Sequence, residues 1–139
     1  MSSILLVLDT NIVLDVFVFT DAAAEPVRAG LASGQLDWLT TDAMRDELAR
    51  VLTYPQIVSR LAFYQLSADA VLGQFDSNSR RVDVASKAGV TCSDADDQRF
   101  IDLAVAHRAV LLSKDKAVLS MARRLQVLGV TACRALPLP

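Results

Sequence analysis

A single histidine, His107, occurs in the chain, so a zinc site built on two or three imidazoles is excluded, and a Ser-His-Asp triad would have to use that one residue. The five glycines, at 30, 34, 73, 89 and 129, form no GxG. That removes the Rossmann dinucleotide fingerprint and the Walker A phosphate loop together. The two cysteines, Cys92 and Cys133, lie far apart, without CxxC spacing or metal-ligand company, and read as small buried residues of a reducing compartment. The first apolar run, Ile4 to Leu8, is cut by Asp9, has no basic flank and is too short for a signal peptide. No run approaches the roughly 18 apolar residues of a membrane helix, so no membrane partner and a cytoplasmic location are expected.

The 139 residues are 53% hydrophobic and 22% charged, which is the composition of one folded domain and not of a disordered chain. At this length a chain buries roughly 68–70% of its unfolded surface, enough for a core without a disulfide or metal staple. Fourteen basic residues stand against sixteen acids, so a general polyanion-binding field is not expected. The distribution is uneven. Up to Asp42 there are six acids and only Arg28; from Leu103 onward there are six bases and only Asp115, itself flanked by Lys114 and Lys116.

Short apolar runs alternate with longer helical patterns, which predicts an α/β domain with a parallel sheet. Strands are expected at Ser3–Leu8, Leu36–Leu39, Val82–Ala85, Val110–Leu112 and Val130–Cys133. Thr41 caps a predicted helix to about Leu52, Pro55 opens a short one and Ser67 caps a third. Ser93 caps a helix over about Asp94–His107, and a last helix runs from Lys116 to Leu128 and stops at Gly129. His107 lies about ten residues from Asp97, roughly 15 Å along the helix, and reads as structural. The domain is expected to span residues 1–136, with a frayed tail over 137–139.

In such a fold every strand points its C-terminal end at one edge, where ligands bind. Asp9 follows the first strand, Asp115 lies just past the fourth, and Asp94, Asp96 and Asp97 open the helix before that strand. Three acidic elements distant in sequence therefore converge. Taken singly, an acid in such a place is a helix cap or favours the helix dipole. Gathered together, carboxylates repel unless a cation is shared, and without histidine or thiolate nearby that cation is a hard one, Mg²⁺ or Mn²⁺.

The strings Val7-Leu8-Asp9-Thr10-Asn11-Ile12-Val13, Asp46-Glu47-Leu48, Asp94-Ala95-Asp96-Asp97-Gln98-Arg99-Phe100-Ile101 and Leu112-Ser113-Lys114-Asp115, in this order, together resemble the PIN-domain nucleases. The likeness is nearest to the branch that forms the toxin components of toxin-antitoxin systems. It implies a three-layer α/β/α fold with a central parallel sheet of about five strands. It also implies a metal-dependent endoribonuclease that leaves a 5′-phosphate and a 3′-hydroxyl, with Asp9, Glu47, Asp97 and Asp115 around Mg²⁺ or Mn²⁺. Asn11 matches the polar residue that orients the first acid, and Ser113 matches the hydroxyl preceding the last. Glu47 owes its place to the resemblance, since it sits about six residues into its helix and must reach back.

The sequence departs from the family pattern twice: Lys114 and Arg108 stand where glycine is common. Lys114 could pair with Asp115 in competition with metal, or contact phosphate. Arg45, Arg99, Lys114 and Lys116 are the candidate RNA contacts. Phosphatases that need a second aspartate two positions after the first are disfavoured by Asn11, and a response-regulator receiver lacks its acidic pair and acceptor aspartate. The alternative from another class is an inactive scaffold of the same fold that binds RNA or a protein partner. The apolar stretches Ile12–Phe19 and Tyr54–Tyr64 predict a homodimer, with one of these surfaces also serving an antitoxin-like protein.

Overall fold

The computed structural model describes residues 3–136; the expected tail over 137–139 lies outside them. The chain runs β1 (Ile4–Leu8), α1 (Thr10–Phe17), α2 (Glu25–Ser33), β2 (Leu36–Thr40), α3 (Asp42–Val51), α4 (Pro55–Phe63), α5 (Ala68–Asn78) and β3 (Arg80–Arg81). It continues with α6 (Gln98–His107), β4 (Val110–Leu112), α7 (Lys116–Leu119), α8 (Ala122–Val127) and β5 (Thr131–Cys133). The five strands form one parallel sheet in the order β3-β2-β1-β4-β5. With helices packed against it, the architecture is the three-layer α/β/α arrangement that the resemblance implies. Helix α6 lies on β1 and β4, α2 on β2 and α8 on β5, while α1, α3 and α5 pack on one another.

Local chemistry explains most of these boundaries. Thr41 accepts a hydrogen bond from the Met44 backbone N–H, and Ser67 accepts one from that of Ala70, so both cap their helices as predicted. Pro55 sits in the first turn of α4, where its missing N–H has no partner to lose. Gly129 takes φ +86°, the left-handed conformation that ends the last helix. Arg108 takes φ +52° at the end of α6, so the chain keeps at this turn the backbone conformation that glycine would adopt more easily. In the core, Trp38 stacks on Phe17 at 5.8 Å and meets Phe75 edge-on at 5.0 Å.

Four expectations need correction. The third strand is Arg80–Arg81 and not Val82–Ala85, because the ladder to β2 pairs Leu39 with Arg80 and Thr40 with Arg81, and the residues beyond Val82 are irregular. The last helix is two pieces, α7 and α8, broken at Ser120 and Met121; Met121 turns into the core there. The segment before α6 is capped by Asp94, not Ser93, and begins as a 3₁₀ turn over Ala95–Asp97. The stretch Ile12–Phe19 is covered by the domain itself: Ile12, Val13, Leu14, Val16 and Val18 are all buried, with α2, α3 and α5 packed on α1. Helix α2 had no counterpart among the expected elements.

Candidate functional site

The sheet order reverses between β1 and β4. Strand β1 is followed in sequence by β2 on one side, while β4 arrives on the other, and a crevice opens at such a switch point beyond the strand C-termini. Asp9 ends β1 with its backbone N–H donating to the Leu112 carbonyl at 2.9 Å, which locks the two strand ends together. Three carboxylates reach the crevice. Oxygens of Asp9, Asp97 and Asp115 all lie within 4.8 Å of one another.

These acids do not behave alike. Asp94 caps the 3₁₀ turn by accepting from the Asp96 N–H, and Asp115 caps α7 by accepting from the Ala117 N–H. Asp9 and Asp97 occupy N-cap positions of α1 and α6, yet neither side chain takes a cap hydrogen bond. Both are buried, at 5% and 7% exposure. A buried carboxylate without a cap hydrogen bond keeps acceptor capacity for another partner. Asp97 Oδ2 is buried without any hydrogen-bond partner among the described residues.

Ser113, fully buried, organises the other two. Its hydroxyl donates to Asp9 Oδ2 at 2.6 Å and accepts from the Asp115 backbone N–H at 3.0 Å, so one side chain fixes the orientation of the first acid and the approach of the last. Asn11 makes no such bond to Asp9, and its Oδ1 is buried without a partner. Glu47 lies outside the three-carboxylate set; its Oε2 accepts from the Thr10 hydroxyl at 2.6 Å, close enough for its charge to act on Asp9.

Crowding shows in the titration of the cluster. Burial pushes the Asp9 carboxyl up, against the pull of the Ser113 hydrogen bond, with the charges of Glu47 and Asp115 adding to the rise. Burial, a hydrogen bond with Asp115 and the charges of Asp9, Asp115 and Asp94 push Asp97 up to about 8. Asp115 is held below its ordinary value by that same bond and by the Ala117 N–H. The two carboxylates are thus pushed in opposite directions, Asp97 toward its neutral form and Asp115 toward its charged form.

Of the expected RNA contacts, Lys116 is exposed, and Arg99 lies half-buried with its guanidinium 3.4 Å from the Ala43 carbonyl. Arg45 is engaged by Asp76 at 2.9 Å. Lys114 turns away from Asp115 and pairs with Asp15 at 2.7 Å. Asp15, Thr10 and Asp76 were not singled out in the sequence. A lone acid inside the apolar stretch Ile12–Phe19 was the available signal for Asp15, since a charge among buried neighbours needs a partner.

The profile of the PIN domain matches residues 5–117, a span that takes in Asp9, Glu47, Asp97 and Asp115. The chain belongs to the PIN-domain family. Among solved structures this PIN domain is similar to a chain from the crystal structure of VapBC2 from Rickettsia felis bound to a DNA fragment from their promoter. The TM-score is 0.62 at 14% identity, over 93% of this chain and 98% of that one, a likeness of fold. No curated protein sequence matches the chain. Among the described residues of this PIN domain, no helix is long and apolar enough to cross a membrane.

Proposed function

We propose that this PIN domain, taken as residues 1–136, is a cytoplasmic endoribonuclease that hydrolyses RNA phosphodiester bonds with Mg²⁺ or Mn²⁺, and is the toxin of a toxin-antitoxin pair. The observation that carries the reading is the pair of buried, non-capping carboxylates, Asp9 and Asp97, facing Asp115 with Asp97 Oδ2 unpartnered. An all-oxygen donor set fits a hard divalent cation. Asp9, Asp97 and Asp115 would hold it, with Glu47 reaching in from α3.

What such a cation supplies when bound is Lewis acidity, which lowers the pKa of water and offsets charge on a phosphate. The chain's own residues set the geometry. Ser113 holds Asp9 Oδ2 through its hydroxyl and so fixes the orientation of that carboxylate. Thr10 holds Glu47 Oε2 at 2.6 Å, near enough to Asp9 for its charge to be felt there. A cation held there would favour the charged form of Asp97, which crowding otherwise pushes toward its neutral form, so its binding would be linked to pH. Arg99 and Lys116, at the rim, favour an approaching phosphate backbone. An antitoxin-like protein and a second copy of the chain are the proposed partners. The surface that supports them is Tyr54–Tyr64, where Val58 is 48% and Phe63 78% exposed.

The decisive experiment is cleavage of single-stranded RNA by purified protein with Mn²⁺ or Mg²⁺, with chelator, and with Asp9→Asn. Cutting is expected only with the cation, and not by the variant, whose circular dichroism should match the wild type. Undiminished cutting by Asp9→Asn protein would remove the assignment.

A further inference from the structure

Residues 82–94, between β3 and the 3₁₀ turn that carries Asp97, have no regular secondary structure, so no strand or helix fixes where that turn begins. Backbone groups in such a stretch need partners, and side chains of α6 supply them. Gln98, the residue after Asp97, spends its whole amide on the task. Its Oε1 accepts from the Cys92 backbone N–H at 2.7 Å, while Nε2 donates to the Val90 carbonyl at 3.0 Å and to Asp102 Oδ1 at 2.7 Å. Asp102, one turn further along α6, also accepts from the Ala88 backbone N–H at 2.9 Å. A flipped Gln98 amide would set N–H against N–H at Cys92, so the orientation of the group is fixed. Cys92 carries the constraint across. It is 5% exposed, its thiol lies 3.6 Å from the Ala117 carbonyl, and Ala117 is the residue whose N–H Asp115 caps. The Cys92 backbone is thus tied to the residue after Asp97, and its side chain to the helix that Asp115 opens.

We infer that Gln98 is a positioning residue of the carboxylate cluster: by holding Cys92 it sets the spacing of Asp97 from Asp115, and with that spacing the affinity for a divalent cation. The inference rests on the proposed cation site and not on what the protein cleaves. Oxygens of Asp9, Asp97 and Asp115 lie within 4.8 Å of one another although like charges repel, so the backbone that carries them has to be restrained. Gln98 restrains it with a neutral group, which adds no charge to a crowded site. A lysine in its place would have no acceptor for the Cys92 N–H and would compete with the cation for the carboxylates. A glutamate would face the Asp102 carboxylate and leave the Val90 carbonyl without its donor.

The test is titration calorimetry with Mn²⁺ on the wild type and its variants, with folding checked by circular dichroism. Gln98→Ala is expected to bind about tenfold more weakly, the low end of what an orienting partner behind a metal ligand contributes. Ser67→Ala removes the cap of α5 and lowers the melting temperature without touching Gln98, so its affinity should equal that of the wild type. Gln98→Glu separates geometry from charge. Its added negative charge alone would tighten cation binding, whereas the broken hold on Val90 weakens it, and weakening is expected. Adding Asp102→Asn to Gln98→Glu removes a negative charge and restores a donor between the two side chains, so affinity should recover in part, where charge alone would lower it further. Unchanged affinity in Gln98→Ala, or tighter binding by Gln98→Glu, would overturn the inference while leaving the nuclease reading standing. If Gln98→Ala does not fold, the comparison of Gln98→Glu with the double variant decides, and equal or weaker binding by the double variant overturns it. If no RNA is cut, weaker Mn²⁺ binding by Gln98→Ala and Gln98→Glu still supports the positioning role although the nuclease reading has failed. A wild type that binds no Mn²⁺ overturns it together with the cation site.

Discussion

Replacing Asp97 by asparagine keeps the shape of a side chain that is 7% exposed and removes the charge its neighbours resist. The asparagine amide can still donate to Asp115, so the ion-free variant should be as stable as the wild type or more so. A cation that binds the folded site and not the unfolded chain stabilises by mass action, by about 2.7 kcal/mol at a hundredfold excess over its dissociation constant. For a domain of this length that is an increase of about 5–10 °C in melting temperature. If loss of the Asp97 carboxylate weakens binding by about a hundredfold, the same cation concentration leaves only ~0.4 kcal/mol, a shift of about 1 °C. Asp94→Asn is the matched control, because asparagine caps as well as aspartate and the Asp94 side chain is spent on the Asp96 N–H. Differential scanning fluorimetry with Mn²⁺ and with chelator reads both variants. A full cation-induced shift in Asp97→Asn, together with its loss in Asp94→Asn, would refute the assignment within this acidic run.

Ser113→Ala should lower divalent-ion affinity by about 10–100-fold, measured by calorimetry, because the hydroxyl that orients Asp9 and receives the Asp115 N–H is gone. The ion-free protein should melt higher at pH 5 than at pH 8. Asp97 binds its proton up to about pH 8 when folded but only near 3.8 when unfolded, so stability falls as pH rises between those values and levels off above. Asp115, depressed in the fold, has the opposite dependence, confined to pH below about 4. Divalent-ion affinity should climb with pH toward 8 as the Asp97 proton becomes easier to displace, and a pH-independent affinity would contradict the raised Asp97 titration. Sedimentation at micromolar concentration is expected to show a dimer that Phe63→Ser weakens; a strict monomer would remove the proposed role of the Tyr54–Tyr64 face.

The sheet was legible because its strands are apolar runs bounded by strong punctuation: Asp9 after Leu8, Thr41 after Thr40, and Gly129 before the last strand. Strand β3 was not, because two arginines carry no apolar period, and its pairing is decided by Asp37 and Thr40 on the neighbouring strand, which take Arg80 and Arg81. Helix α2 was hidden because Pro26 and Gly30 break its helical reading and only Val27 and Gly30 are buried along it, which leaves no apolar stripe to read. The convergence of Asp9, Asp97 and Asp115 followed from strand direction alone. The distinction between capping and non-capping acids did not, since Asp9, Asp94, Asp97 and Asp115 all stand at helix starts, and only burial and the absent cap bonds separate them. Lys114 likewise had carboxylates on several sides, and the buried Asp15 decides the contest.

The hydrogen bond from Ser113 to Asp9 joins residues 104 positions apart. A growing chain therefore has no assembled site until β4 and the turn behind it have emerged. By then β1, β2 and β3 can already be paired, and β1 is left waiting with one edge open along Leu6, Val7 and Leu8. That edge is apolar and its backbone groups are unmet, the condition in which partly made chains stick to one another. At synthesis rates of about 5–20 residues per second the wait from β3 to β4 lasts seconds. The arrangement that leaves the site unassembled in the incomplete chain also makes those seconds its most aggregation-prone.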